Sequence, residues 1–267
     1  MKVTSKKIFY VLITGASSGI GLELAREYSK NGHHLILTAR STEKLNDLKA
    51  ELEKKYNNNV EIISHDLSKN LSATALHKEI KSRGLNLKGL VNNAGFGDHS
   101  EFSESNLNKN LEMIQLNITS LTELTQVFVN ELIENAPSHV LNVASIASFI
   151  PGPLMAVYYA TKAFVLSFSE ALHTELKDKN VSVTALCPGP TISGFQAAAN
   201  FTSTSLVEKV KFPTSLEVAE FGYQAAMNKD AVAVHGLKNQ LLVFSTRLLS
   251  RSSIRKTVFT LQKKRQP

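Results

Sequence analysis

The feature that most constrains this fold is the alternation of short apolar runs with segments of helical pattern. Short apolar runs are typical of strands buried on both faces, and helices between them indicate a parallel sheet. In the segment 41–55, Leu45, Leu48 and Leu52 recur at helical spacing among charged residues. We therefore predict an α/β fold, a doubly wound seven-stranded parallel sheet with helices on both faces. The predicted strands span residues 8–13, 34–38, 60–64, 89–92, 139–143, 181–186 and 231–234.

The sequence contains no linker, internal repeat or change in composition that would divide it into two domains. We predict a single domain over residues 1–267, with a basic amphipathic tail from 236 to 267. The helical segments 111–134 and 156–177 are apolar over more than one face, so each must be covered on two sides. The second cover is either a partner in a homodimer or homotetramer or loops of the same chain. Thr214 and Glu217 have the spacing of a capping box at a helix start.

The charge distribution separates the tail from the rest of the chain. The net charge is +7, and the seven bases from Arg247 onward account for it, leaving 23 of the 30 basic residues against 23 acidic ones. This neutral body argues against a nucleic-acid partner. Cys187, the only cysteine, cannot form an internal disulfide, which fits a cytoplasmic compartment. The N-terminal apolar run is too short for a signal peptide or a membrane span, so an integral membrane protein is not expected.

The tail beyond Gly236 combines leucines with arginines at helical spacing. Arg247, Arg251 and Arg255 follow one another at four-residue intervals, and apolar residues precede them. We favour the interpretation that the apolar side of this helix packs on the body of the protein or on a partner subunit. The alternative is a peripheral membrane contact, with the apolar side among acyl chains and the bases near anionic lipid.

A glycine-rich segment directly follows the first predicted strand and opens a helix. Glycine permits a tight turn and a close approach of the backbone to a pyrophosphate, whose charge is favoured by the N–H groups at the helix start. Glycines also occur at structural turns, so the pattern indicates a nucleotide site only because it lies between a strand and a helix. The segment predicts a dinucleotide-phosphate site formed by Gly15, Ser17, Ser18, Gly19, Ile20 and Gly21.

Tyr158 and Lys162 are four residues apart in a predicted helix, so their side chains share one face. The pKa of a free phenol is too high for a base at neutral pH, and a neighbouring ammonium is expected to lower it. Tyr158 can then exchange a proton with a substrate oxygen. Ser145, thirteen residues before Tyr158, would hydrogen-bond the same oxygen. Tyr159 is a neighbouring candidate, but no lysine lies four residues after it.

In their order and spacing these motifs resemble those of the short-chain dehydrogenase/reductase family. Three further segments strengthen the resemblance. The sequence N-N-A-G at 92–95 follows the fourth strand, Asn117 lies inside an apolar helix, and Pro188-Gly189 follows the sixth strand.

The resemblance implies a Rossmann-type domain whose catalytic residues are Ser145, Tyr158, Lys162 and Asn117. It gives Lys162 a second contact, to the nicotinamide ribose. It gives Asn117 the positioning of a water molecule that relays protons. Together with the glycine-rich segment, the implied cofactor-binding set comprises Arg40, Asp66, Leu67, Asn93, Ala94, Gly95, Tyr158, Lys162, Pro188, Gly189, Thr191 and Ser193.

The end of the second strand bears on the choice of cofactor. An NAD enzyme commonly places an acid there to bind the ribose 2′-hydroxyl, and an acid would repel a 2′-phosphate. Ala39 occupies that position, and Arg40, a planar cation suited to a phosphate, follows it. We therefore predict NADP(H) as the cofactor. Asp66 resembles the adenine-contacting aspartate of the family, although it could also cap the following helix.

Apolar residues follow two of these motifs and predict the character of the substrate. They include the segment 146–155, Phe195 and Phe201, which would line a pocket for a hydrophobic ketone, aldehyde or alcohol. The predicted function is NADP(H)-dependent interconversion of a carbonyl and an alcohol, without a metal. Three alternatives are weaker. The first is a catalytically silent NADP-binding sensor or interaction protein on the same fold. The second is a sugar-nucleotide epimerase or dehydratase of the extended branch, which usually has a longer C-terminal domain, and the third is nucleic-acid binding by the basic tail.

Overall fold

The computed structural model describes residues 7–192 and 212–263. Its seven parallel strands are hydrogen-bonded in the order 3-2-1-4-5-6-7, so the predicted doubly wound sheet is confirmed. The strand ends differ from the predicted ones by at most three residues. The strands are β1 (Phe9–Thr14), β2 (His34–Ala39), β3 (Val60–Ser64), β4 (Asn86–Asn92), β5 (Ser138–Val143), β6 (Val181–Cys187) and β7 (Val232–Val234).

Helices cover both faces of this sheet, and the described ones are α1 (Gly19–Lys30), α2 (Thr42–Tyr56), α3 (Ser72–Ser82), α4 (Leu107–Ile114), α5 (Leu121–Glu134), α6 (Ala156–Leu176), α7 (Ser215–Met227), α8 (Leu237–Ser245) and α9 (Arg251–Lys263). Successive side chains of a strand point to opposite faces. Val11 and Ile13 of β1 therefore pack with α1, α2 and α7, while Tyr10 and Leu12 pack with α3 and α5. Because β1 lies between β2 and β4, the chain reverses direction across the sheet there, which is where doubly wound folds bind ligands.

The predicted helix 111–134 begins earlier and is interrupted. A π-helical segment, Gln115–Ser120, joins α4 to α5. Its wider turn accommodates an extra residue, which shifts the hydrophobic spacing and hides the interruption from a periodicity argument. Asn117 lies in this segment rather than in a regular helix, and its side chain is buried.

The two helical regions predicted to need cover on two sides each pack one face on the sheet. Leu111 of α4 is exposed, and Phe164 of α6 is just over one-third exposed. The predicted homo-oligomer would cover such faces, and it stays a prediction. The capping box at Thr214 and Glu217 is confirmed, with reciprocal hydrogen bonds at the start of α7. Within the described residues, no helix is both long and apolar enough to cross a bilayer.

The tail forms two helices instead of the single amphipathic helix expected. Arg247 lies in the turn 246–250 between α8 and α9, so the prediction that Arg247, Arg251 and Arg255 form one helical stripe is wrong. The expected packing on the body holds for α9, which buries Ile254 and Val258. It does not hold for α8, in which no residue is buried by the part of the chain that the structure describes.

Candidate active site

The glycine-rich turn lies at the carboxyl end of β1 and leads into α1. Gly15 has a φ of +66°, a conformation that L side chains rarely adopt. At Gly21 the constraint is space, because an added Cβ would lie 2.3 Å from the carbonyl oxygen of Gly15. Neither position accommodates a side chain. Glycine therefore allows the tight turn and lets a ligand approach its backbone closely.

The residues after β4 hold this turn in place. The Asn93 side chain donates a hydrogen bond of 2.9 Å to the Thr14 carbonyl. In return, the Thr14 hydroxyl accepts hydrogen bonds of 3.0 Å from the backbone N–H groups of Asn93 and Ala94. These contacts across the point where the sheet reverses explain physically why the two motifs occur together.

Tyr158, Lys162 and Ser145 meet at the carboxyl end of β5. Tyr158 and Lys162 lie one turn apart in α6, with the Lys162 Nζ 5.9 Å from the centre of the Tyr158 ring. The Lys162 ammonium donates to the Val143 carbonyl at 2.7 Å. Ser145, two residues after Val143, hydrogen-bonds the Tyr158 side chain. The Ser145 hydroxyl also accepts from the Ala147 N–H at 3.1 Å, which fixes its position.

Burial sets the protonation of this group. Burial raises the pKa of Tyr158, against a smaller lowering by the hydrogen bond with Ser145. Burial also lowers the pKa of Lys162 to about 8. The expected lowering of the tyrosine pKa by the lysine is therefore not seen: the pKa of Tyr158 is raised, because the phenol is removed from water. Tyr158 is protonated at neutral pH, which is the form that donates a proton.

Asn117 lies behind this group and does not line the cleft. Its amide nitrogen donates to the Phe96 carbonyl and to the Thr161 hydroxyl, both at 3.0 Å. Its amide oxygen accepts from the Phe96 N–H at 3.2 Å. Asn117 therefore ties the loop after β4 to α6, next to Lys162. The proton relay that the family resemblance assigns to it stays a prediction.

A cleft of about 940 Å³ joins the glycine-rich turn to the tyrosine and lysine. Gly21 packs beneath the turn and does not line this cleft, and Ser193, Phe195 and Phe201 lie outside the described residues. The predicted residues that the structure brings together along it are Gly15, Ser17, Ser18, Gly19, Ile20, Arg40, Asp66, Leu67, Asn93, Ala94, Gly95, Ser145, Tyr158, Lys162, Pro188, Gly189 and Thr191.

Sequence reasoning missed two residues near Arg40. Ser41 and Lys44 also line the cleft, at the start of α2. The signal was present, because Ser41 is the N-cap of that helix and Lys44 lies in its first turn, where an anion is favoured. Asp66 faces the same region and does not cap α3. Burial acts to raise its pKa, but hydrogen bonds from Ser68 and the charge of Arg40 hold that pKa below its usual value.

The far wall of the cleft comes from the C-terminal helices, which the sequence did not place. The apolar residues of this wall are Leu242 of α8, with Val258 and Leu261 of α9. Gln262 of α9 donates a hydrogen bond of 2.8 Å to the Tyr159 hydroxyl, linking α9 to α6. Tyr159 thus holds the wall, while its neighbour Tyr158 contacts Ser145. The predicted segment 146–155 contributes Ile146, Ala147, Ile150 and Met155 to the lining.

Comparison with known proteins agrees with this geometry. Residues 10–203 match the short chain dehydrogenase family model, which is more than half of the chain. The protein therefore belongs to the short-chain dehydrogenase/reductase family, a family of nucleotide-binding oxidoreductases.

Particular relatives share part of the sequence. Very-long-chain 3-oxoacyl-CoA reductase from Mus musculus is 32% identical over 187 residues, covering 67% of this chain and 58% of the relative. The protein of the same name from Vanderwaltozyma polyspora is 36% identical over 196 residues, covering 68% and 55%. The chain thus spans less than two thirds of the length of these relatives.

Solved structures share the whole fold. A short-chain dehydrogenase from Sphingobium yanoikuyae in complex with NADPH has a TM-score of 0.79 and 27% identity, covering 90% of this chain and 94% of that one. A bulky-bulky ketone specific alcohol dehydrogenase from Comamonas testosteroni has a TM-score of 0.76 and 25% identity, covering 91% and 93%.

Proposed function

We propose that this protein is an NADP(H)-dependent oxidoreductase that interconverts a carbonyl and a secondary or primary alcohol on a hydrophobic substrate. The observation that carries this proposal is the convergence of Tyr158, Ser145 and Lys162 in the same cleft as the glycine-rich turn. A proton donor, a hydrogen-bond donor and a cation then face a substrate oxygen beside the nucleotide site.

The cofactor fits the residues of the turn. Alanine at Gly15 would place a Cβ 2.8 Å from the Asn93 side chain, so only backbone lines the cleft at that position. The Ser18 side chain does not cap the first turn of α1, so the backbone N–H groups of that turn can bind a pyrophosphate. When bound, the cofactor supplies or accepts the hydride.

Each of the three side chains acts on the substrate oxygen or on the group next to it. Tyr158, protonated at neutral pH, gives its proton to the oxygen as the carbonyl is reduced. Ser145 hydrogen-bonds that oxygen while negative charge develops on it. Lys162 lies beside the phenol, where its charge favours the phenolate left after proton transfer.

The preference for NADP(H) over NAD(H) is the finer part of the proposal and rests on Arg40, Ser41 and Lys44. All three line the cleft beside Ala39, where an acid would select against a 2′-phosphate. The arginine and lysine side chains are exposed and can reach a phosphate without losing a buried partner.

The Arg40→Ala variant is expected to weaken NADPH binding by about ten- to a hundredfold, because a charge-assisted hydrogen bond contributes about 1.5–3 kcal/mol. NADH binding should stay within about twofold, since NADH has no 2′-phosphate. Fluorescence titration with both cofactors measures the two losses separately. Arg83→Ala, which removes an arginine outside the cleft, is the matched control. Equal losses for both cofactors, or a wild-type preference for NADH, would contradict the assignment.

A hydrophobic substrate fits the far wall, where Leu242, Val258 and Leu261 face the cleft with Ile150 and Met155. The names of the relatives point to the same class, because a 3-oxoacyl thioester and a bulky ketone each combine a reducible carbonyl with apolar bulk. We propose long-chain 3-oxoacyl thioesters as the first candidates within this class.

The test is an assay of NADPH oxidation with 3-oxoacyl-CoA thioesters of increasing chain length, bulky ketones and a small charged 2-oxo acid. We expect kcat/KM to rise with acyl length and the charged acid to be a poor substrate. NADPH binding without turnover of any carbonyl would favour the catalytically silent alternative. Turnover confined to the small charged acid would contradict the apolar wall as the substrate site.

A further inference from the structure

Within residues 7–192 and 212–263, no side chain covers the apolar side of helix α8. Leu237, Leu241 and Phe244 lie at i, i+4 and i+7, so they share one face, and their exposed fractions are 76%, 69% and 57%. Leu248 and Leu249 in the following turn continue this surface, at 75% and 54%. An amphipathic helix normally buries such a stripe in the core. Five large apolar side chains within thirteen residues instead form one exposed patch.

Basic residues, and no acidic ones, accompany this patch in the sequence. Asp230 is the last acidic residue of the chain. Arg247 lies in the turn between the leucines, and all the bases from there to Lys256 are exposed. None of them forms a salt bridge among the described residues. The bases that follow Asp230 are Lys238, Arg247, Arg251, Arg255, Lys256, Lys263, Lys264 and Arg265.

The same two helices form a wall of the cleft. Leu242 of α8 and Leu261 of α9 line the cleft, and both are more than 40% exposed, so they also reach the molecular surface. The apolar patch and the substrate side of the cleft are therefore adjacent. An apolar substrate that entered the cleft from the patch would contact apolar side chains of the far wall before it reached Tyr158.

We propose that this surface docks on an anionic lipid bilayer, and we call it the docking face. It comprises the five apolar residues Leu237, Leu241, Phe244, Leu248 and Leu249 and the four bases Arg247, Arg251, Arg255 and Lys256. The apolar side chains enter the acyl boundary, while the bases bind anionic headgroups. Entry of substrate from the bilayer rests on the proposed function, since it requires an apolar substrate.

Charge complementarity favours a bilayer over a second copy of this chain. In a two-fold symmetric dimer the same patch faces itself, so the exposed arginines of one copy would approach those of the other. Like charges brought together without acidic partners oppose association. An anionic bilayer provides both an apolar phase for the leucines and opposite charge for the arginines.

The test is co-sedimentation of the full chain with vesicles of phosphatidylcholine alone and of phosphatidylcholine mixed with phosphatidylserine. We expect binding to the anionic vesicles that weakens as salt is raised. Arg251→Ala with Arg255→Ala should lower the partition coefficient by about thirtyfold, since each base near an anionic surface contributes about a factor of five. The matched control is Lys54→Ala with Lys55→Ala, two exposed bases at the end of α2.

The double variant Leu241→Ser with Leu248→Ser should abolish vesicle binding. The control is Leu107→Ser, which changes an exposed leucine of α4 and should leave vesicle binding unchanged. Neither Leu241 nor Leu248 lines the cleft, so cofactor binding and turnover of a water-soluble carbonyl should stay at wild-type values.

An active wild type that fails to bind anionic vesicles at low salt would overturn the proposal. So would a dimer in sedimentation velocity that the two leucine substitutions dissociate, since the face would then join two copies. Vesicle binding by a chain that turns over no carbonyl would support docking and contradict the proposed function instead.

Discussion

Replacing Tyr158 with phenylalanine is expected to abolish measurable turnover and to leave NADPH affinity within about twofold of wild type. The substitution removes the proposed proton donor but keeps the ring that packs beside Lys162. General acid catalysis contributes about 10²–10⁴-fold, and the Tyr158 phenol lines the cleft and is protonated at neutral pH. Steady-state assays with the best substrate, together with fluorescence titration of NADPH, measure the two effects.

Tyr159→Phe is the matched control, because it removes the same atom from the next residue. Its hydroxyl accepts a hydrogen bond from Gln262 and holds the far wall of the cleft. We expect a moderate rise in KM and little change in kcat. If the effects of the two variants were exchanged, with Tyr159→Phe inactive and Tyr158→Phe active, the assignment of the proton donor would be wrong.

Gly21→Ala is expected to lower NADPH affinity by about ten- to a hundredfold. In a helix, alanine is normally the more stable residue by about 1 kcal/mol, so propensity alone predicts a stabilised protein. Here the added Cβ would lie 2.3 Å from the Gly15 carbonyl oxygen and from the Asn93 side chain. Overpacking costs about 1–3 kcal/mol or more, and the relief of this contact displaces the turn whose backbone binds the pyrophosphate.

Gly222→Ala in α7 separates this local effect from a general loss of stability. The three atoms nearest to its added Cβ belong to the Leu186 side chain, which can move, and α7 contributes nothing to the described lining of the cleft. We expect NADPH binding by Gly222→Ala to match wild type. Thermal unfolding of both variants without cofactor shows whether each is folded. Wild-type affinity in folded Gly21→Ala would show that the turn does not bind the cofactor.

The parts of this fold that depend on periodicity could be predicted from the sequence. Apolar runs buried on both faces determine the parallel sheet, and the order of the glycine-rich segment, Ser145, Tyr158 and Lys162 indicates one cleft. The pKa values could not be predicted in the same way. A sequence shows that Lys162 is near Tyr158, but burial is the largest cause of both pKa shifts, and burial depends on the whole fold.

The packing of the C-terminal helices could not be predicted for a different reason. Hydrophobic spacing shows which residues are apolar, but it does not show which surface covers them. It therefore could not distinguish α9, which buries Ile254 and Val258 against the body, from α8, whose leucines are exposed. The π-helical segment around Asn117 was not predicted for a related reason. One extra residue shifts the phase of the hydrophobic pattern without changing the composition of the segment.

The cleft is a composite of two stretches of sequence. The match to the family ends at residue 203, whereas the far wall formed by Leu242, Val258, Leu261 and Gln262 comes later in the chain. Under the proposed function, the reacting groups come from the first stretch and much of the apolar wall comes from the second. A chain whose last forty residues were replaced by another sequence would retain the proton donor and the glycine-rich turn, but it would present a different surface to the substrate. Relatives that align only over the first stretch therefore say more about the type of reaction than about the identity of the substrate.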